Sequence, residues 1–90
     1  MSSRYLKDPD DVLDYKINWA AWLDGDTIAS SSWSLAAGDV VIDSDENTTV
    51  QTVAWVSGGT EGTTGQITNH IVTAAGREKD WSIIFKIIDQ

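Results

Sequence analysis

No cysteine occurs in the 90 residues, which excludes a disulfide framework, a thiolate metal site and a cysteine nucleophile. The compartment stays open, because only the argument for an oxidising one is removed. Proline occurs once, at Pro9, and histidine once, at His70. No apolar run approaches the ~20 residues that a membrane-crossing helix needs, so no membrane partner is expected. Cations are scarce: six Lys and Arg stand against 14 Asp and Glu, a net charge of −8. Nucleic acid is therefore a poor partner, since binding it depends on cations that neutralise phosphates. The acidity reads first as solubility and restrained self-association. Residues 1–7 lack an apolar signal core, and the expectation is a protein made in the cytoplasm without processing.

What is abundant is tryptophan, five in a chain of this size. A sandwich core uses one or two, and the surplus points to a contact surface, where tryptophan is enriched. The length suits one domain. The expected division is a polar N-terminal arm over 1–11, without periodicity and ordered on a neighbour, then a single β-sandwich domain over 12–90. On that reading, deleting residues 1–8 leaves folding unchanged.

The segment from Leu13 organises the rest. Leu13, Tyr15, Ile17 and Trp19 share one parity against Asp14, Lys16 and Asn18, the period of a strand with one buried face. Trp19, Trp22 and Leu23 then fall at the spacing of a single helical turn. Further strands are expected over 27–35, with a bulge or a break near Ser30–Ser32, and over 40–42, ended by the acidic run 43–47. Three more are expected over 48–57, with Val50, Thr52, Ala54 and Val56 inward, over 64–73, with Ile67, Asn69 and Ile71 inward, and from Trp81 to Ile87. In the last, both parities are partly apolar, as in a strand covered on two faces. Six to seven short strands separated by turn signals predict an all-β, immunoglobulin-like antiparallel β-sandwich.

Little catalytic chemistry is on offer. A calcium loop starting at Asp43 needs Gly at its sixth position and Glu at its twelfth, and Thr48 and Ala54 stand there. The run reads as a solvated acidic loop. His70 shares the presumed solvent parity with Gln66 and Thr68, and no serine lies in a nucleophile-elbow pattern. Gly58-Gly59-Thr60-Glu61-Gly62 lacks the ending of a phosphate loop. No catalytic residue, metal or cofactor is expected. Trp33 and Trp81 read as core. Trp22 and Trp55 fall off the main apolar faces and either pack under a loop or mark a partner surface.

The residues Lys7-Asp8-Pro9-Asp10, Leu13-Asp14-Tyr15, Trp19, Trp22-Leu23, Gly25-Asp26-Thr27-Ile28, Trp55-Val56-Ser57-Gly58-Gly59-Thr60, Gly62-Thr63 and Ala75-Gly76-Arg77 carry a resemblance. Together they resemble a family of small tailed-bacteriophage structural proteins, the fiber–tail adaptor or neck and tail accessory proteins, over nearly the whole chain. The resemblance implies an immunoglobulin-like sandwich built into the virion, without enzymatic activity. It would link tail or portal to a fiber or neighbouring ring protein, in a symmetric multi-copy ring. The expected interface candidates are Tyr5, Asp8, Pro9, Trp22, Trp55, Gly58 and Gly59. Two positions depart from the family pattern: Asn69, on the buried face, needs hydrogen-bond partners, and Gly65 leaves room for Trp55 or a partner to fill. The alternatives are a capsid decoration domain, or a glycan-binding module in which Trp22 or Trp55 stacks on a sugar ring.

Overall fold

The alternation that starts at Leu13 becomes a strand in a computed structural model, which describes residues 2–89. The elements are β1 (Ser2–Lys7), β2 (Leu13–Asn18), α1 (Ala20–Leu23), β3 (Ile28–Ala37), β4 (Val40–Asn47), β5 (Gln51–Gly58), β6 (Thr64–Thr73) and β7 (Glu78–Ile87). They form two sheets, ordered β1-β7-β6-β3 and β2-β5-β4. All pairings are antiparallel except that of β1 with β7. The all-β sandwich of seven strands is thus as expected.

The inward faces follow the period-2 pattern. Tyr15 and Ile17 of β2 and Ala54 and Val56 of β5 meet Ile67 and Ile71 of β6 and Ile83, Phe85 and Ile87 of β7. Each such fully buried aliphatic or aromatic side chain contributes about 1.5–3 kcal/mol. Val50 departs from this set. It precedes β5 and is exposed, because Thr48 and Gln51 close a turn there.

Three further expectations are corrected. Residues 2–7 are not an arm without periodicity: Ser3, Tyr5 and Lys7 pair with Ile83, Phe85 and Ile87 and share their core-facing side. A short polar strand carries too few apolar residues to announce itself, and the parallel register on β7 supplies what its own sequence lacks. Deleting residues 1–8 therefore removes a sheet strand with a buried lysine. The acidic run 43–47 continues β4 past a register shift at Asp43. Its exposed acids suit an edge strand, where charge deters pairing with other chains. Finally, the bulge in β3 falls at Ala29, just before Ser30, with a second irregularity at Ala36.

The room beside Gly65 is filled by Val40, not by Trp55. A Cβ on Gly65 would lie 3.0 Å from Val40 Cγ1, whereas Trp55 points outward from the other sheet. Asn69 is fully buried and fully engaged. Its Oδ1 accepts from the Thr52 hydroxyl at 2.8 Å and from Trp19 Nε1 at 3.2 Å. Its Nδ2 donates to Ser31 Oγ at 2.9 Å and to the Ser32 carbonyl at 3.0 Å. The side chain so joins β6 to β3 within one sheet and to β5 across the core. Trp33 and Trp81 are only partly buried at the margin of that core, and the indole N–H of Trp33 is buried without a hydrogen-bond partner.

Candidate functional site

Sheet order distributes the seven candidate residues among two ends and a face. β5 runs from Gln51, level with Asn18, to Gly58, while β1 ends at Lys7 beside Ile87. Tyr5, Asp8, Pro9, Gly58 and Gly59 therefore gather at one end of the sandwich. Trp22 sits at the other, and Trp55 lies between them on the outer face of the three-stranded sheet.

Lys7 ties the first end together. It is 0% exposed, and its Nζ donates to the carbonyls of Gly58 at 2.6 Å, Asp11 at 2.9 Å and Asp8 at 3.0 Å. Three acceptors match the three donors of an ammonium group. The turn it grips is set by Pro9, with Asp11 N donating to the Asp8 carbonyl at 3.0 Å and Asp10 N to Asp8 Oδ1 at 2.9 Å. Gly58 and Gly59 both have positive φ, 75° and 104°, and a Cβ on Gly59 would lie 2.9 Å from Ile87 Cδ1. These two glycines are accounted for by backbone geometry and packing. The loop is further fastened by Thr60, whose hydroxyl and N–H both donate to Asp39. The Thr60 hydroxyl is the main reason the Asp39 carboxyl is held below the usual value for aspartate. Tyr5 meets Tyr15 edge to face at 5.1 Å, stacks on Phe85 at 6.4 Å and keeps 39% of its surface exposed. Burial, then the charge of Asp11, push the Tyr15 hydroxyl upward in pKa.

At the opposite end Trp22 is covered. Its ring meets Trp19 at 5.6 Å, edge to face, and the Arg77 guanidinium lies over it at 4.5 Å. Arg77 also donates to the Leu23 carbonyl at 2.7 Å, closing the C-terminus of α1, and to Asp26 at 3.3 Å. The Thr73 hydroxyl foremost, with Thr27, Arg77 and Ala75, keeps Asp26 below the ordinary carboxylate range. Trp55 has no such cover: it is 39% exposed, between Asp14 and Ser44 on the neighbouring strands.

The outer face of the four-stranded sheet carries a cluster that the sequence pattern did not single out. His70 Nδ1 lies 2.6 Å from Asp80 and Nε2 lies 3.0 Å from Glu78. Adjacent strands in antiparallel register bring these residues together although eight to ten positions separate them. Asp80 first, then Glu78, raise the imidazole pKa above its ordinary 6.5. A raised folded value means that the stabilisation is complete below the unfolded value and is lost as pH rises through the folded one. Melting temperature should fall by a few degrees between about pH 6 and pH 8, the effect being modest because exposed pairs contribute only ~0.2–1 kcal/mol. The His70→Gln variant should lose this dependence, and an unchanged pH profile would refute the assignment.

Residues 7–86 match the family described as podophage GP4 fiber-tail adaptor protein gp77. The chain belongs to this family. The match spans both sheets from the last residue of β1 almost to the end of β7, so it covers the core and both ends described above. Comparison with curated proteins finds no match. Among solved structures, the chain is similar to part of a 2,6-sialyltransferase from Vibrionaceae Photobacterium sp. JT-ISH-224, crystallised with CMP and lactose. The TM-score is 0.63 at 9% identity, over 99% of this chain and 18% of that one. At that identity the likeness concerns the fold alone, and the chain spans less than a fifth of the transferase. Among the described residues no helix is long and apolar enough to cross a membrane.

Proposed function

We propose that this member of the fiber-tail adaptor family is a non-enzymatic virion component that links the phage tail or portal region to a fiber or an adjacent ring protein. It acts as a symmetric ring of copies at the tail or neck, made in the host cytoplasm and needing no cofactor. The observation that carries this reading is the family match over residues 7–86. The strand orders support it: β2-β5-β4 and β3-β6-β7 parallel the B-E-D and C-F-G sheets of an immunoglobulin sandwich, a fold used for docking. The partner contacts are proposed at the Tyr5–Asp8–Pro9–Gly58–Gly59 end and at Trp22 and Trp55. Trp55 is the leading candidate, because its ring is large, exposed and set on a rigid central strand.

Copy number in purified particles, measured by quantitative mass spectrometry against the major capsid protein, tests the proposal. A small ring-like number supports the adaptor. Hundreds of copies would make the chain a capsid decoration domain, and absence from particles would end both readings. For the interface, Trp55→Ala should leave the melting temperature within a few degrees of the parent while incorporation into particles drops severalfold. A large loss of stability would instead return Trp55 to a packing role.

A further inference from the structure

Sheet order also decides which surfaces a copy of this chain can offer to the next. Tyr5 touches Tyr15, so β1 and β2 share one flank of the sandwich. β3 and β4 lie against each other and form the opposite flank. The two flanks differ in the charges that their strands leave unpaired.

On the β1 flank an open groove is lined by Arg4, Tyr5, Leu6, Thr64, Ile84 and Lys86. Of the six cations, Lys7 is buried on carbonyls, while Lys16 pairs with Asp14 and Arg77 with Asp26. Among the described residues this leaves Arg4, Lys79 and Lys86 without an acidic partner, and two of the three line the groove. Between them Leu6 is 59% exposed. A basic, apolar groove is an unusual thing to leave open on a chain of net charge −8.

On the β4 flank Asp43, Asp45 and Glu46 are all exposed and form no ion pair among the described residues. Val41, on the same strand, is 51% exposed. Both flanks thus present unpaired charge next to an uncovered aliphatic side chain, with the signs reversed. The charges on β4 deter sheet-edge aggregation, and they also select a partner. β4 against β4 would oppose acid to acid, and β1 against β1 would oppose Arg4 to Arg4. Only β1 against β4 joins unlike charges, and like-charge repulsion excludes the symmetric pairs. Because the two patches lie on opposite flanks, such a contact is head-to-tail, and a head-to-tail contact generates a closed ring when its rotation permits.

We propose that copies of this chain associate head to tail, the acidic edge strand β4 of one copy seating on the Arg4–Leu6–Ile84–Lys86 groove of the next. The contact deepens, and rests on, the reading of the chain as a ring-forming adaptor. Asp45 and Glu46 meet Arg4 and Lys86 at the groove.

Sedimentation velocity on the full chain, at high protein concentration in low and high salt, tests it. The wild-type chain should associate in low salt and dissociate as salt screens the contact, with affinity falling roughly tenfold or more. Arg4→Glu/Lys86→Glu should sediment as a monomer, and so should Asp45→Lys/Glu46→Lys. Mixing these two variants in equal amounts should restore association, because every β1–β4 contact between one variant and the other joins unlike charges. Carrying all four substitutions in one chain should restore it too. Recovery on mixing also shows that both variants fold. A wild-type chain that stays monomeric at every concentration, or charge-reversed variants that associate as the parent does, would overturn the contact. Particle copy number judges the adaptor reading separately: presence in particles together with a monomeric chain in solution would remove this contact and leave that reading standing.

Discussion

Replacing Asn69 with leucine should destabilise the fold by about 3 kcal/mol, a fall of more than ~10 °C in melting temperature for a domain of this size. The side chain is 0% exposed and serves four partners, Thr52 on β5, Ser31 and Ser32 on β3, and Trp19 just before α1. Leucine fills nearly the same volume but leaves the Thr52 hydroxyl without its acceptor, Trp19 Nε1 with Thr52 alone, and two acceptors on β3 without their donor. Each buried polar group left unpaired costs ~1–3 kcal/mol, reduced where neighbours re-pair. Trp19 keeps its 3.1 Å bond to Thr52 Oγ1, which is why the expected total is nearer 3 than 6. A second substitution tests the cause. Thr52→Val added to Asn69→Leu removes the stranded hydroxyl but also the last acceptor of Trp19 Nε1, so the cost of the pair should depart from the sum of the single changes by ~1 kcal/mol or more. Strict additivity in chemical denaturation would mean that packing, not the polar network, explains the position.

Lys7→Met should be comparably severe, again about 3 kcal/mol. Methionine keeps the length and apolar stem of lysine but donates nothing, and the carbonyls of Asp8, Asp11 and Gly58 each lose a charge-assisted donor. These three carbonyls belong to the β1–β2 turn and to the loop after β5, so one ammonium group holds two connections of one end in register. The loss should be local as well as global. Proteolysis at residues 8–11 should accelerate, since β1 is bound to the sheet on one side only and loses its anchor at its last residue. Lys7→Arg is expected to rescue poorly, because the planar guanidinium does not fit a compact three-carbonyl site. A melting temperature within ~4 °C of the parent for Lys7→Met would show that water replaces the ammonium without penalty. In that event the end bearing Tyr5, Asp8, Pro9, Gly58 and Gly59 would owe its shape to the backbone alone.

These two residues mark how far the sequence could be read. Asn69 was legible as an oddity: a polar residue on an apolar parity, flanked by Ile67 and Ile71, must be buried and must be satisfied. Which groups satisfy it was not legible, because Trp19, Thr52 and Ser31 reach it from 50, 17 and 38 residues away. Lys7 was not legible at all. A lysine in the polar stretch Arg4 to Asp11 reads as solvated, and nothing local tells that three carbonyls surround it. The same limit explains β1 and the acidic half of β4. An edge strand gains its hydrogen bonds from one neighbour and leaves one side to water, so its own residues need no apolar alternation.

The chain by itself determined the strand-forming periods of β2, β5, β6 and β7, the single turn at Trp19–Leu23, the breaks at the glycine turns, and the acidic excess. Each of these is set by neighbours within a few positions, through side-chain alternation, glycine φ or composition. Only the tertiary structure decided that Trp22 lies beneath Arg77 while Trp55 stands open, that His70 sits between two carboxylates, and that Arg4 and Lys86 line one groove. Those facts depend on register and sheet order. Register and sheet order follow from the joint burial of all the inward faces at once, a property that no short window of sequence contains.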